Sequence, residues 1–266
     1  MESQPEFQLL YWKGNFGGRG EFVRLMLSVC GASWVDTAQV RAAGANHAAE
    51  QGAVNDEQAA SSCVLEYVRG EADGYPVLFP PILVHGERVL NQTPAILLYL
   101  GQLFGLAPTE PLALAHALQV TMHALDALAG AEKAYHPLSY SGSYESQQEP
   151  AKATIAEFLE ARLPVFTGVL ERQLASNSEG GGYYIGASMT FADIAVYQLV
   201  RGWRSSQPIH WEASKASHPL LVGFASRMDS EARVAAFLAS DKSTQMEDPR
   251  NSPLAKEPLV QVNSFM

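Results

Sequence analysis

"YPVLFPPILVHGERVLNQTPAILLYL", Tyr75 to Leu100, holds two short apolar runs, ILV and RVL, joined by a turn around Gly86, and then a helical pattern. Two strands closed this tightly around one glycine form an antiparallel hairpin. Thr93 followed by Pro94 reads as a capped helix start, with the threonine hydroxyl as N-cap and proline at the first helical position. The helix is expected to run to about Phe104.

Upstream, "FQLLYW" (Phe7 to Trp12) fits a buried strand, and "YWKGNFGGRGEFVRL" (Tyr11 to Leu25) packs four glycines into seven residues before turning helical. Phe22, Leu25, Met26, Val29 and Cys30 share one helical face, and Gly31 is a natural stop. "ASWVDTAQV" supplies a second strand, whereas Arg41 to Ser62 is Ala/Gly/Asn-rich and reads as a loop with one irregular helix. Gly18, Gly20 and Asp36 imitate a dinucleotide fingerprint, in which glycines admit a pyrophosphate and an acid binds the ribose. That reading fails on two counts: Val23 stands where the third glycine belongs, and the hairpin replaces the parallel unit such a fold requires.

Downstream, "GLAPTEPLA" reads as a linker, and no convincing strand follows it. Helices are expected near Leu112 to Ala134, Pro150 to Leu174 with a kink or break at Pro164, Thr190 to Trp203, Pro219 to Asp229 and Glu231 to Ser240. From Asp241 the chain is polar and proline-dotted, as in a mobile tail. The pattern is an α/β thioredoxin-like domain (1–104), a linker (105–111), an all-helical domain (112–240) and a tail (241–266).

Bulk properties narrow the function. A chain of 266 residues that is 47% hydrophobic can bury one large core or two modest ones, and two domains are expected. A net charge of −10, with no basic stripe, argues against a nucleic-acid partner. The opening "MESQPEFQ" lacks a signal pattern and no run approaches 18 uninterrupted apolar residues, so a soluble, cytoplasmic protein without membrane contact is expected. Cys30 and Cys63 are too far apart in sequence for a redox pair or zinc half-site and are read as reduced thiols. His116 and His123 lie seven apart on one helix, but no third ligand is spaced to complete a metal site, and no metal is expected.

"LYWKGNFGGRGEFVRLML", "PPILVHGERVLNQTPAILLYLG", "YHPLSYSGSYESQQEPAK" and "YYIGASMTFADIAVYQLVRG" together resemble the cytosolic glutathione transferase superfamily over nearly the whole chain. "GRGEFVRL" and the HP segment resemble a bacterial-type branch, while the tyrosine placement is similar to alpha, mu, pi and sigma enzymes. The resemblance implies glutathione as co-substrate, a homodimer and a detoxifying transferase acting on small hydrophobic electrophiles. It leaves two alternatives open: a non-catalytic glutathione- or ligand-binding protein, and a glutathione-dependent isomerase or peroxidase.

Glutathione carries two carboxylates, an amine and a thiol of pKa about 8.5, so only roughly 3% is thiolate at pH 7. Lowering that pKa by about two units requires about 2.7 kcal/mol, which one charge-assisted hydrogen bond can supply. The resemblance makes Tyr11 the catalytic donor, with Asn15 in the turn as second choice. The segment from Tyr11 to Arg24 is about two residues longer than in mu-like enzymes. Thr93 and Gln92 match the family's motif for the γ-glutamyl carboxylate, which a helix N-terminus favours. Pro81 is the expected cis proline, exposing backbone to the cysteinyl unit, and Pro80 departs from the pattern because it offers a carbonyl but no N–H. Met122, Tyr135, His136 and Trp203 are candidates for an apolar acceptor pocket, and Asp126 for a contact to a partner subunit's glutathione. Thr190 and Asp193 form a capping box, with Met189 and Ile194 as its staple, and are read as a folding device.

Overall fold

The computed structural model describes residues 5–12, 17–36, 56–140 and 142–244, with the backbone alone described for 56–61. Strands β1 (Phe7–Leu10), β2 (Trp34–Asp36), β3 (Ile82–His85) and β4 (Arg88–Asn91) form one sheet in the order β2-β1-β3-β4. β1 pairs parallel with β2, and antiparallel with β3, which closes the expected hairpin with β4. Helix α1 (Gly18–Val29) makes the crossover from β1 to β2, and α2 (Asp56–Val68) and α3 (Thr93–Leu103) flank the sheet.

Alternation along the strands sorts the two faces. Phe7, Leu9 and Leu83 join α1 and α3 in the main core, while Leu10, Ile82, Val84 and Val89 meet Cys63 and Val64 of α2 on the other face. The irregular helix expected within Arg41 to Ser62 is α2, which runs six residues past Ser62; the part of that stretch before Asp56 lies outside the described residues.

The second half is helical: α4 (Pro111–Tyr135), α5 (Gln148–Glu157), α6 (Leu163–Ser176), α7 (Phe191–Ser206), α8 (Pro208–Ser214), α9 (Pro219–Ser230) and α10 (Ala232–Leu238). The break expected at Pro164 is a π-helical turn, Phe158–Arg162, between α5 and α6. Proline's missing N–H and its ring displace the preceding turn, and the wider π geometry accommodates this. Glu110 caps α4, its carboxylate accepting from Leu112 N at 3.0 Å and Ala113 N at 2.6 Å. Helix α4 is long and apolar enough on average to cross a membrane, but Ala117, Ala124, Leu128 and Ala131 are buried in the main core, beside α7. The mobile tail expected from Asp241 does not begin there: Ser243 and Thr244 are buried.

The capping box at α7 is present and carries more than expected. Asp193 Oδ2 accepts from Thr190 N at 2.7 Å and Thr190 Oγ1 at 2.8 Å, while Oδ1 accepts from Tyr184 N at 2.8 Å. It therefore fastens the loop before α7 as well as the helix. Complete burial outweighs these donors and pushes the Asp193 carboxyl up to about 6.

Candidate functional site

The sheet register gathers the expected glutathione-site residues at one end. Leu10, the last residue of β1, faces Ile82, the first of β3, which faces Asn91, the last of β4. Tyr11, Pro81, Gln92 and Thr93 are the next residues beyond that line, so all four lie at the same edge. Asn15 lies outside the described residues.

Tyr11 is buried, and its hydroxyl oxygen accepts the backbone N–H of Arg19 at 2.9 Å. The glycines that imitate a nucleotide turn serve this ring. A Cβ on Gly18 would sit 2.4 Å from Tyr11 Oη, and one on Gly20 would sit 2.8 Å from the ring carbons. Gly18 also has φ +52°, a conformation glycine adopts without strain. The acid of the supposed fingerprint is committed elsewhere: Asp36 Oδ2 takes Arg24 Nη2 at 2.8 Å and Nε at 3.0 Å. Arg24 in turn stands 5.6 Å from the Tyr11 ring centre. Burial, reinforced by the Glu132 carboxylate, pushes the Tyr11 phenol up to about 12. The hydroxyl therefore stays protonated at neutral pH.

Thr93 differs from expectation in detail. Gln92, with φ +70°, occupies the N-cap and makes no side-chain cap bond, so Thr93 is the first helical residue and Pro94 the second. The Thr93 hydroxyl is buried without a hydrogen-bond partner among the described residues. An orphaned hydroxyl beside the open N–H groups of α3 suits a carboxylate, which fits the γ-glutamyl end of glutathione. The Pro80–Pro81 peptide bond is cis.

The four acceptor-pocket candidates lie in different surroundings. Trp203 and Tyr135 are core side chains: Trp203 Nε1 donates to His210 Nδ1 at 3.1 Å, and the Tyr135 hydroxyl accepts from Gln207 Nε2. Met122 is 41% exposed on the outer side of α4. His136 is buried, its Nδ1 3.2 Å from Gln147 Nε2, and burial lowers its pKa. All four are candidates to line an apolar pocket, and large side chains on long helices mostly serve packing. None lines either of the two cavities resolved beside α4, of about 420 and 520 Å³, although Asp126 lines the smaller.

What approaches Tyr11 from the helical half is polar. Glu132 Oε2 pairs with Arg19 Nη2 at 3.3 Å, across the junction of the halves, and the half-exposed Tyr140 has its pKa raised by burial and by Glu132. Sequence reasoning passed over Arg19 and Glu132. The available signal was a single buried acid in the Ala-rich stretch "ALAGAEKAY" of α4.

Residues 135–241 match the family model of the glutathione S-transferase C-terminal domain. Over 240 residues the chain is 25% identical to a glutathione S-transferase P 1 of the toad Bufo bufo, covering 89% of this chain and 93% of that protein. Among solved structures, the Pi-class glutathione S-transferase of Onchocerca volvulus superposes with a TM-score of 0.63 at 17% identity, covering 87% of this chain and 91% of that one. A monomeric glutathione S-transferase of the hookworm Necator americanus gives 0.62 at 17% identity, with coverages of 88% and 96%. At such identities the structural matches establish the fold, an α/β sheet domain followed by a helical one. With the curated relative and the matched C-terminal domain, they support the cytosolic glutathione transferase superfamily.

Proposed function

We propose that this protein is a glutathione transferase of the tyrosine type, in which the protonated Tyr11 hydroxyl donates a hydrogen bond to the glutathione sulfur and holds it as the thiolate after the thiol proton has left to solvent. The observation that carries this reading is the common sheet edge shared by Tyr11, Pro81, Gln92 and Thr93. A phenol held by the Arg19 N–H keeps a fixed direction, and one charge-assisted bond of about 1.5–3 kcal/mol accounts for a thiol pKa lowered by one to two units. Thr93 and the N-terminus of α3 hold the γ-glutamyl carboxylate, and the backbone around Pro80 and Pro81 pairs with the cysteinyl unit. Pro80 contributes a carbonyl alone.

The thiolate attacks the electrophilic carbon of a small acceptor, forming the C–S bond as the leaving group departs with the electron pair. The acceptor sits where Arg19, Glu132 and Tyr140 converge, a more polar wall than the apolar residues first singled out. The toad and Onchocerca relatives are both of the Pi type by name, which supports the tyrosine reading; a bacterial-type branch rests on the wording of "GRGEFVRL" and the HP segment alone. A homodimer in the cytoplasm, with Asp126 reaching the partner's glutathione, is part of the same proposal. The Necator neighbour, described as monomeric, makes sedimentation at micromolar concentration its necessary test.

Calorimetry with glutathione, followed by conjugation to an aryl halide, tests the activity. Binding with thiolate formation and turnover is expected. Binding without turnover would make the protein a glutathione carrier.

A further inference from the structure

The Glu21 carboxylate is fully buried in the first turn of α1 and takes no part in the chemistry above. Four donors meet it. Oε1 accepts from Arg201 Nη1 at 2.8 Å and from Thr244 N at 3.0 Å; Oε2 accepts from Thr244 Oγ1 at 2.9 Å and from Arg24 Nη1 at 3.3 Å. A buried carboxylate is tolerated only when it is paired and saturated in this way. Two of the four donors belong to one residue beyond the last helix.

That residue is itself clamped. Arg201 Nη2 donates to Thr244 O at 2.6 Å and to Ser243 Oγ at 2.9 Å. The stretch from α10 to Thr244 follows α1 along its length: Arg233 Nη1 donates to Val29 O at 3.2 Å at one end, and Lys242 lies 4.6 Å from the Trp34 ring centre. From Glu21 the connection to the tyrosine is short. The same Arg24 Nη1 that touches Glu21 also donates to Gly17 O at 3.2 Å, and Gly17 leads directly into Gly18 and Arg19, whose N–H holds the Tyr11 hydroxyl.

We propose that Thr244 is a positioning residue for Tyr11, acting through Glu21, Arg24 and the Gly17–Arg19 turn. The physical reason is that Glu21 and Arg24 hold the Gly17 carbonyl together: the Glu21 N–H donates to it at 3.0 Å and Arg24 Nη1 at 3.2 Å, while a second hydrogen of that nitrogen serves Glu21 Oε2. With Thr244 in place, the Glu21 carboxylate is satisfied and this arrangement is fixed. Without the threonine hydroxyl, Oε2 keeps Arg24 as its one described donor, Glu21 and Arg24 shift toward each other, and both bonds to the Gly17 carbonyl weaken. The turn then loosens where it orients the phenol. The fold of the helical half does not depend on this step, because Arg201 still reaches Glu21.

The inference rests on Tyr11 being the thiol-activating group, and the experiment keeps the two questions apart. Full-length Thr244→Val, which keeps the shape and loses the hydroxyl, is compared with Thr244→Ser, which keeps the hydroxyl. In the absence of glutathione, amide exchange at Arg19 is expected to quicken by about tenfold in Thr244→Val and to stay near wild type in Thr244→Ser, with the amides of α9 unchanged in both. With glutathione, kcat at neutral pH is expected to fall by roughly three- to tenfold in Thr244→Val, with KM for glutathione moving less than about twofold. Equal exchange at Arg19 in all three proteins overturns the proposal. So does a serine variant as impaired as the valine one, or a loosening of α9 as large as that at Arg19. If wild type binds no glutathione as thiolate, the transferase reading falls, and the exchange comparison still decides the role of Thr244.

Discussion

Replacing Tyr11 by phenylalanine removes one oxygen with two connections. Toward the sulfur it deletes the donor, which is worth about 1.5–3 kcal/mol to an anion, or one to two pK units of the bound thiol. Toward the protein it deletes the acceptor of the Arg19 N–H, held at 2.9 Å in a buried position. An orphaned buried N–H costs about 1–3 kcal/mol, so the melting midpoint should drop by about 2–6 °C in a chain of this size. The ring should stay where it is, because the space left by Gly18 and Gly20 is shaped to it. Conjugation at pH 7 is then expected to fall by roughly one to two orders of magnitude, with glutathione affinity changing far less, since the lost bond serves the thiolate. Thiolate absorbance titrated against pH in both proteins, at a temperature where both are folded, measures the cause. Coincident curves, with the drop in melting still present, would mean that Tyr11 only anchors the turn and that another group holds the sulfur.

Four further outcomes are expected. Gly20→Ala places a methyl 2.8 Å from the Tyr11 ring and should cut kcat/KM by more than about tenfold while leaving the helix content by circular dichroism intact; full activity would deny the close packing. Thr93→Ala should weaken glutathione binding by about 1–3 kcal/mol in calorimetry yet leave stability within about 0.5 kcal/mol, because its hydroxyl caps nothing. Asp193→Ala should destabilise by about 2–4 kcal/mol, above a simple cap, since the buried Tyr184 N–H also loses its acceptor. The Asp193 carboxyl, raised from 3.8 to about 6 in the folded protein, binds protons more readily folded than unfolded. Its contribution to stability is therefore present below about pH 4 and is lost as pH rises through about 6. Denaturation midpoints taken across that window should show the slope in wild type and not in Asp193→Ala.

The fold was legible where a local signal and a period agreed. Gly86 between two apolar runs fixed the hairpin, and the face of Phe22, Leu25, Met26 and Val29 fixed α1 and its burial. Legibility failed where structure is decided by what lies across the core. Helix α2 carries little periodicity of its own, and among the described residues Cys63 and Val64, flanked by Tyr67 and Val68, meet the sheet. Helix α8 is seven residues between two proline starts, and its polar sequence holds one strong anchor, Trp211, packed edge-on against Trp203 at 4.9 Å. The π turn at Phe158–Arg162 was readable as a break, because proline announces itself, but its type depends on how the neighbouring turns share the missing hydrogen bond.

The site divides along the same line, and the division explains why the glycine turn first suggested a nucleotide. Glycine in a turn reports only that something comes close; sequence does not say whether a phosphate or the chain's own side chain does so. Here Tyr11 precedes the turn and folds back over it, and the two close contacts at Gly18 and Gly20 are to its ring. The acid that would have bound a ribose neutralises Arg24, and Arg24 is needed because Glu21 is buried beside it. Each residue of the false fingerprint is thus accounted for by one requirement, that a phenol be held still at the edge of a sheet. Arg19 carries that requirement across the halves: its N–H fixes the Tyr11 oxygen while its guanidinium pairs with Glu132 of α4. A charge pair spanning two domains is invisible to local reading because 113 residues separate its members. It also means that the proposed acceptor wall and the turn that holds Tyr11 are mechanically linked, so a substitution at Glu132 is expected to act on the turn as well.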